Sequence, residues 1–210
     1  MNFFSLLIHD PVTFAIVAGI LLYSIIAHEL AHGAVALLFG DDTAKVMGRL
    51  TLNPASHIDP IGTLMLFIAG FGWAKPVPVN YYKLSNFRFG LVSVALAGCC
   101  ANILIAIIAL GIETLLGPQG GAGVSGALEF VARINIILGA FNLIPIPPLD
   151  GSKVLMAVLP REMQESLAKL EPYGFFILAF FILTGLLNPV IAGMQNTLYS
   201  MIAHLFGAAR

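Results

Sequence analysis

The chain has 210 residues, of which 59% are hydrophobic and only 10% charged, with a formal net charge of -1. Soluble domains carry about 25% charged residues, so this chain has too little polar surface for a water-soluble body and reads as a polytopic membrane protein, a single domain over 1–210. The near-neutral charge argues against a nucleic-acid partner, and the lack of a basic segment before the first apolar run argues against a cleavable signal peptide.

The first predicted span runs from Pro11, suited to a first helical turn, to Gly40, suited to a C-cap. A polar stretch, 41–60, follows, and the alternation over Lys45 to Leu52 predicts a strand. Ile61 to Trp73 is apolar but short and carries Gly62, Gly70 and Gly72, which predicts a re-entrant or partial helix. The prolines of Lys75-Pro76-Val77-Pro78-Val79-Asn80 demand extended backbone, and the alternating valines of Trp73 to Asn80 read as an exposed edge able to pair with an unwound chain, or as a loop that returns the chain. A long helix is expected from Phe87 to Leu116, a glycine-rich loop over Gly117 to Gly126, and another helix from Ala127 to Leu143 that Pro145-Ile146-Pro147-Pro148 breaks. Ser152 to Leu159 reads as a short helix and Arg161 to Glu171 as an amphipathic stretch. Tyr173 to Phe206 reads as two short passes or one kinked one, broken near Gly185 and Asn188-Pro189. The fold class is therefore all-α: a transmembrane helical bundle with a short re-entrant and extended segment between the first two long helices. Adjacent Cys99 and Cys100 are expected as small packing residues.

His28-Glu29-Leu30-Ala31-His32 falls in the second half of the first span. Positions i and i+4 share a helical face, so His28 and His32 can direct imidazole nitrogens at one zinc ion, with Glu29 beside them to take a proton from water. Two imidazoles and a carboxylate inside a membrane-length apolar helix are costly and are expected only where a function offsets that cost. A catalytic zinc usually takes a third protein ligand. Asp150, after the proline run, is the best candidate, although Asp-Gly at such a place is also an ordinary exposed turn.

Asn102 and Asn142 are polar residues in apolar helices. They either hydrogen-bond an extended substrate or a developing oxyanion, or tie helices together. Arg133 is expected to pair with Glu129 at i, i+4. His57 with Asp59 is a further pair, read as a gate or a partner of the metal ligands, or as a capped loop.

The early His28-Glu29-Leu30-Ala31-His32 motif and the later Asn142-x-x-Pro145-x-Pro147-Pro148-x-Asp150-Gly151 together resemble the site-2 protease family of intramembrane zinc metalloproteases. Ala97-Gly98-Cys99-Cys100-Ala101-Asn102 is similar to that family's alanine-glycine-proline-x-x-asparagine element, with Cys99 in place of proline. Asn53-Pro54-x-x-His57-Ile58-Asp59-Pro60 and Gly72 to Val79 resemble its compact branch, which lacks a PDZ domain. The resemblance covers about 20–155, within a motif-bearing core of about 11–155; the C-terminal helices, about 173–207, match no motif. It implies one zinc per chain held by His28, His32 and Asp150, Glu29 as general base, and cleavage of transmembrane or membrane-proximal segments of other membrane proteins.

Lysines and arginines gather in 41–60, 74–88 and 150–171, while the N-terminus and the glycine-rich loop have none. The positive-inside rule then puts those three segments and the active site towards the cytoplasm and the N-terminus outside. Rival readings are a metal-ion transporter or channel, which would need polar residues through the full membrane depth, and an inactive client-binding scaffold, which would not need all of His28, Glu29, His32 and Asp150.

Overall fold

A computed structural model of the protein describes residues 3–69 and 72–207. Its helices in chain order are α1 (Phe3–His9), α2 (Pro11–Leu38), α3 (Thr43–Val46), α4 (Pro60–Ala69), α5 (Phe87–Leu116), α6 (Gly121–Asn142), α7 (Asp150–Val158), α8 (Arg161–Ala168), α9 (Gly174–Leu183) and α10 (Asn188–Leu205). Three stretches are long and apolar enough to cross a membrane by length and composition: Pro11–Leu38, Phe87–Asn142 and Arg161–Leu183. The second folds back on itself at a 3-10 turn, Gly117–Gly120, so α5 and α6 pack along each other as a helical hairpin. The fold is all-α.

Local chemistry explains the main boundaries. Asp10 caps α2 by accepting from the Thr13 N–H at 3.0 Å, and Pro11 gives up a donor that no helical partner could use. At 28 residues α2 is about 42 Å long, enough to cross a hydrocarbon core of about 30 Å with some overhang. The central packing uses small residues, as membrane helices do where lipid removes most of the hydrophobic drive. Ala106, Ala109 and Leu110 of α5 meet Ala132 and Ile136 of α6, and Ile202 of α10 closes the cluster. Cys99 is buried and Cys100 is exposed; both are free.

α4 does not span. Its 10 residues cover about 15 Å. The chain then returns to where the helix began, since the Lys75 N–H donates to the His57 carbonyl at 2.8 Å. This is the expected re-entrant segment; Gly70 lies outside the described residues. The break after Leu183 is also as expected, with Gly185 at φ +71 and α10 starting at Asn188.

Three expectations are corrected. No strand occurs among the described residues. Instead of a strand over 45–52 the chain forms α3 and turns at Gly48, where the Gly48 N–H donates to the Lys45 carbonyl; alternation alone makes no strand without a neighbour to pair with. The glycine-rich loop is largely helical: after the 3-10 turn α6 begins at Gly121, because packing against α5 outweighs the weak helix preference of glycine. The third correction concerns 75–80, an extended strap with no strand partner among the described residues, whose donors, Val79 N–H apart, are not free for an incoming chain. Its Lys75, Val77 and Asn80 N–H groups are used by the His57 carbonyl, Glu29 and Asp41, and Pro76 and Pro78 have no N–H to give.

Candidate metal centre

The C-terminal end of α2, the N-terminal half of α5 and the turn between α6 and α7 meet at one end of the bundle. His28 and His32 lie one turn apart on α2, and both are buried. Asp150 opens α7, where a carboxylate is favoured by the positive end of the helix. It can sit there because Gly151 follows. A Cβ on Gly151 would stand 2.2 Å from the Leu143 carbonyl oxygen and 2.5 Å from that of Ile144, so a side chain would force the proline turn open.

The three side chains converge. His28 Nε2 and His32 Nε2 are 3.0 Å apart. Asp150 Oδ2 is 3.0 Å from the first and 3.1 Å from the second. His32 Nδ1 lies 2.6 Å from the Val94 carbonyl oxygen, which can only accept, so Nδ1 carries a proton and, in the neutral imidazole, the Nε2 lone pair points into the triangle. His28 Nδ1 faces Asn102 Oδ1 at 2.7 Å and leaves its Nε2 in the same state. Asp150 Oδ2 is buried with no hydrogen-bond donor.

With both imidazoles neutral, three acceptor atoms face one another with no hydrogen between them, which is unfavourable unless a cation lies among them. The edges fit zinc: bonds of about 2.0–2.1 Å in a tetrahedron place ligand atoms about 3.3–3.4 Å apart. The residues form the one His/Cys/Asp/Glu group able to hold a metal ion among the described residues. Room for the group depends on Gly98 of α5, whose Cβ would come within 2.5 Å of both Nε2 atoms.

Glu29 stands outside the triangle. Its Oε2 accepts from the Val77 N–H at 2.8 Å, so the strap after α4 lies against the carboxylate. Val77 itself is buried. Asp41 anchors the far end of the strap: Oδ2 accepts from the Asn80 N–H at 2.6 Å, while Oδ1 takes the Thr43 N–H at 3.0 Å and the Thr43 hydroxyl. Burial pushes the Asp41 carboxyl up, but the Thr43 and Asn80 hydrogen bonds and nearby Lys83 outweigh it and hold the group below its ordinary 3.8.

The other candidates fall elsewhere. Asn102 is fully buried and joins the site through His28, with its amide nitrogen spent on Asn135 and the Ser24 carbonyl. That placement corrects the expectation of a substrate contact, since every polar atom of the side chain is taken inside the bundle. Asn142 donates to the Leu138 carbonyl of its own helix at 3.0 Å, a contact that does not reach the triangle. His57 is buried outside the metal group; its Nε2 donates to the Thr51 carbonyl at 2.8 Å and its own carbonyl receives the strap. Arg133 pairs with Glu129 as expected, at 2.7 Å. Sequence reasoning missed the Val94 carbonyl and the Val77 N–H, because backbone groups leave no residue signature, and it left Asn135 without a role.

A family model described as peptidase family M50 matches residues 111–185, the part that holds Asn142 and Asp150. The chain is 38% identical over 195 residues to YwhC of Bacillus subtilis, covering 90% of this chain and 89% of that one. It is 33% identical over 202 residues to Rip2 of Mycobacterium tuberculosis, covering 92% and 77%. A more distant relative, MJ0392 of Methanocaldococcus jannaschii, is 25% identical over 158 residues, covering 74% of this chain and 38% of that protein. All three relatives bear the name zinc metalloprotease. No solved structure matches the chain. Likeness at this level along nearly the whole chain establishes that the protein belongs to peptidase family M50.

Proposed function

We propose that His28, His32 and Asp150 hold one zinc ion and that Glu29 is the general base of an endopeptidase reaction beside it. The protein is a membrane-embedded zinc metalloprotease. The observation that carries the residue assignment is the triangle of Nε2, Nε2 and Oδ2 atoms 3.0–3.1 Å apart, which neutral imidazoles leave with no donor among them.

When bound, zinc supplies Lewis acidity, making water a stronger acid and polarising a peptide carbonyl. The chain does the rest. With a divalent cation bound, two neutral imidazoles and one carboxylate would leave the ligand set with a net positive charge, which would favour a developing oxyanion. Glu29 takes the proton from the attacking water and returns it to the leaving amine. The Val77 N–H holds Oε2, which leaves Oε1 for that proton.

The substrate is a peptide segment of another membrane protein, in extended form, because a helix hides its carbonyls in hydrogen bonds. The basic segments 41–60, 74–88 and 150–171 lie at the metal end, so the positive-inside rule turns that end to the cytoplasm and leaves the other outside. A transporter reading is not favoured. Ser24, Asn102 and Asn135, below the triangle, bond to one another instead of lining a path.

The test uses the full chain purified in detergent. Zinc per chain is measured, and cleavage of a transmembrane substrate is followed before and after chelation. One zinc, activity lost on chelation and restored by zinc, supports the assignment. Cleavage that persists without zinc overturns it.

A further inference from the structure

Beneath the metal centre three buried polar side chains, one from each of three helices, join in a single chain of hydrogen bonds. Ser24 of α2 is 5% exposed, and Asn102 of α5 and Asn135 of α6 are 0% exposed. Asn135 Nδ2 donates to the Val131 carbonyl and to Ser24 Oγ, each at 2.9 Å. Asn135 Oδ1 accepts from Asn102 Nδ2 at 2.8 Å, and the same Nδ2 reaches the Ser24 carbonyl at 3.3 Å. Asn102 Oδ1 then meets His28 Nδ1 at 2.7 Å.

The direction of this chain is not free. An asparagine amide can be turned over, exchanging donor and acceptor, and a neutral imidazole can carry its proton on either nitrogen. A backbone carbonyl only accepts. The Val131 carbonyl therefore fixes which end of Asn135 is the nitrogen, and the Ser24 carbonyl does the same for Asn102. The two anchors are independent and they agree. Turned over, Asn102 would press its oxygen against both the Ser24 carbonyl and Asn135 Oδ1, two acceptor contacts in a buried place. Asn102 can then only accept from His28, and His28 must hold its proton on Nδ1.

We infer that Ser24, Asn102 and Asn135 form a positioning relay that selects the metal-binding tautomer and rotation of His28. The inference rests on His28 being a zinc ligand. His32 receives the same service from the Val94 backbone carbonyl, which no side-chain substitution removes, so the relay governs one ligand of the pair. Asn102 and Asn135 are positioning residues and touch no substrate.

The test measures Zn2+ affinity by chelator competition on the full chain in detergent, together with the visible absorption of the Co2+-substituted protein. Asn102→Leu, branched in the same way but without an acceptor, is expected to bind zinc about 10–100-fold more weakly and to shift the cobalt bands. Asn102→Asp, which keeps an acceptor for His28, is expected to bind more tightly than Asn102→Leu. Wild-type affinity and cobalt bands in Asn102→Leu overturn the relay, as does equal loss in the Leu and Asp variants, which marks a packing role alone. Should Asn102→Leu not fold, Asn135→Leu leaves the His28 contact in place but removes the acceptor that orients Asn102. A severalfold loss of affinity there supports the relay, and an unchanged affinity overturns it. Wild-type protein that binds no zinc overturns both this inference and the metalloprotease assignment, whereas the variant outcomes bear on the relay alone.

Discussion

Glu29 Oε2 and the Val77 N–H, 48 residues apart in sequence, meet at 2.8 Å. The contact ties the strap behind the re-entrant helix to the side chain assigned as general base. It leaves one carboxylate oxygen committed and one available, an arrangement that fixes where a proton can be received.

The first prediction concerns that carboxylate. Glu29→Gln keeps an acceptor for Val77 but cannot take a proton. It is expected to retain one zinc per chain and to lose about 10²–10⁴-fold in cleavage rate, the range typical of a lost general base. Zinc analysis and single-turnover cleavage of a transmembrane substrate check both halves. Cleavage at the wild-type rate would remove Glu29 from the mechanism.

The second concerns Gly98. Its position is set by the imidazoles it faces, since a Cβ there would stand 2.5 Å from His28 Cε1 and from both Nε2 atoms. The rings cannot swing away cheaply, because Asn102 and the Val94 carbonyl hold their Nδ1 atoms. Gly98→Ala is expected to keep its helical circular dichroism and lose stoichiometric zinc along with cleavage. A protein that keeps full zinc occupancy would show that the rings are freer than their hydrogen bonds imply.

The third concerns Asp150 and metal removal. Zinc bound only to the folded state stabilises it by about 2.7 kcal/mol at a free concentration of about 100 times Kd. Thermal unfolding of wild-type protein is expected to shift upward with zinc and downward with chelator, while Asp150→Asn is expected to show no zinc shift. The zinc-free states should rank the other way. At a pH where both imidazoles are neutral, asparagine offers N–H donors to the two Nε2 lone pairs where aspartate offers a third acceptor, so there chelated Asp150→Asn should unfold at or above chelated wild type. A lower unfolding temperature for the chelated variant would argue that the triangle is not a set of opposed acceptors.

Much of this site is legible in the residues, for uneven reasons. His28 and His32 announce themselves because helical spacing alone brings them together. Asp150 lies far along the chain, and only the resemblance of its proline-rich surroundings singles it out from an ordinary turn. The bounds of α5 follow from a long, largely apolar run. The glycine-rich stretch misleads because composition reports intrinsic preference, whereas α6 is held by the helices it packs on. Val77 and Val94 act through backbone atoms and are silent in any residue pattern. Asn102 draws notice as a polar residue in an apolar helix, but its partners, Asn135 and Ser24, become visible only when three helices are brought together.

The last prediction uses the anchor of the strap. Asp41 is buried and accepts from Thr43 on one oxygen and from Asn80 on the other. Its carboxyl is held below 3.8, because those hydrogen bonds outweigh the upward push of burial. A folded-state pKa below the unfolded one makes stability that is fully present above the unfolded value and is lost as pH falls through the folded value. The strap should therefore loosen only in acid, below about pH 4. Asp41→Asn can still accept from Thr43, but its new N–H groups face the Asn80 N–H, leaving a half-buried donor unpaired at a cost of about 1 kcal/mol, the low end for an unmade hydrogen bond. The variant is expected to be less stable than wild type at pH 7 and to lose less stability on acidification. Because the strap also bears on Glu29 through Val77, cleavage should fall while zinc per chain stays at one. Unfolding measured at pH 7 and pH 3.5 checks the first part. Parallel acid dependence in the two proteins would mean that the Asp41 charge does not hold the strap.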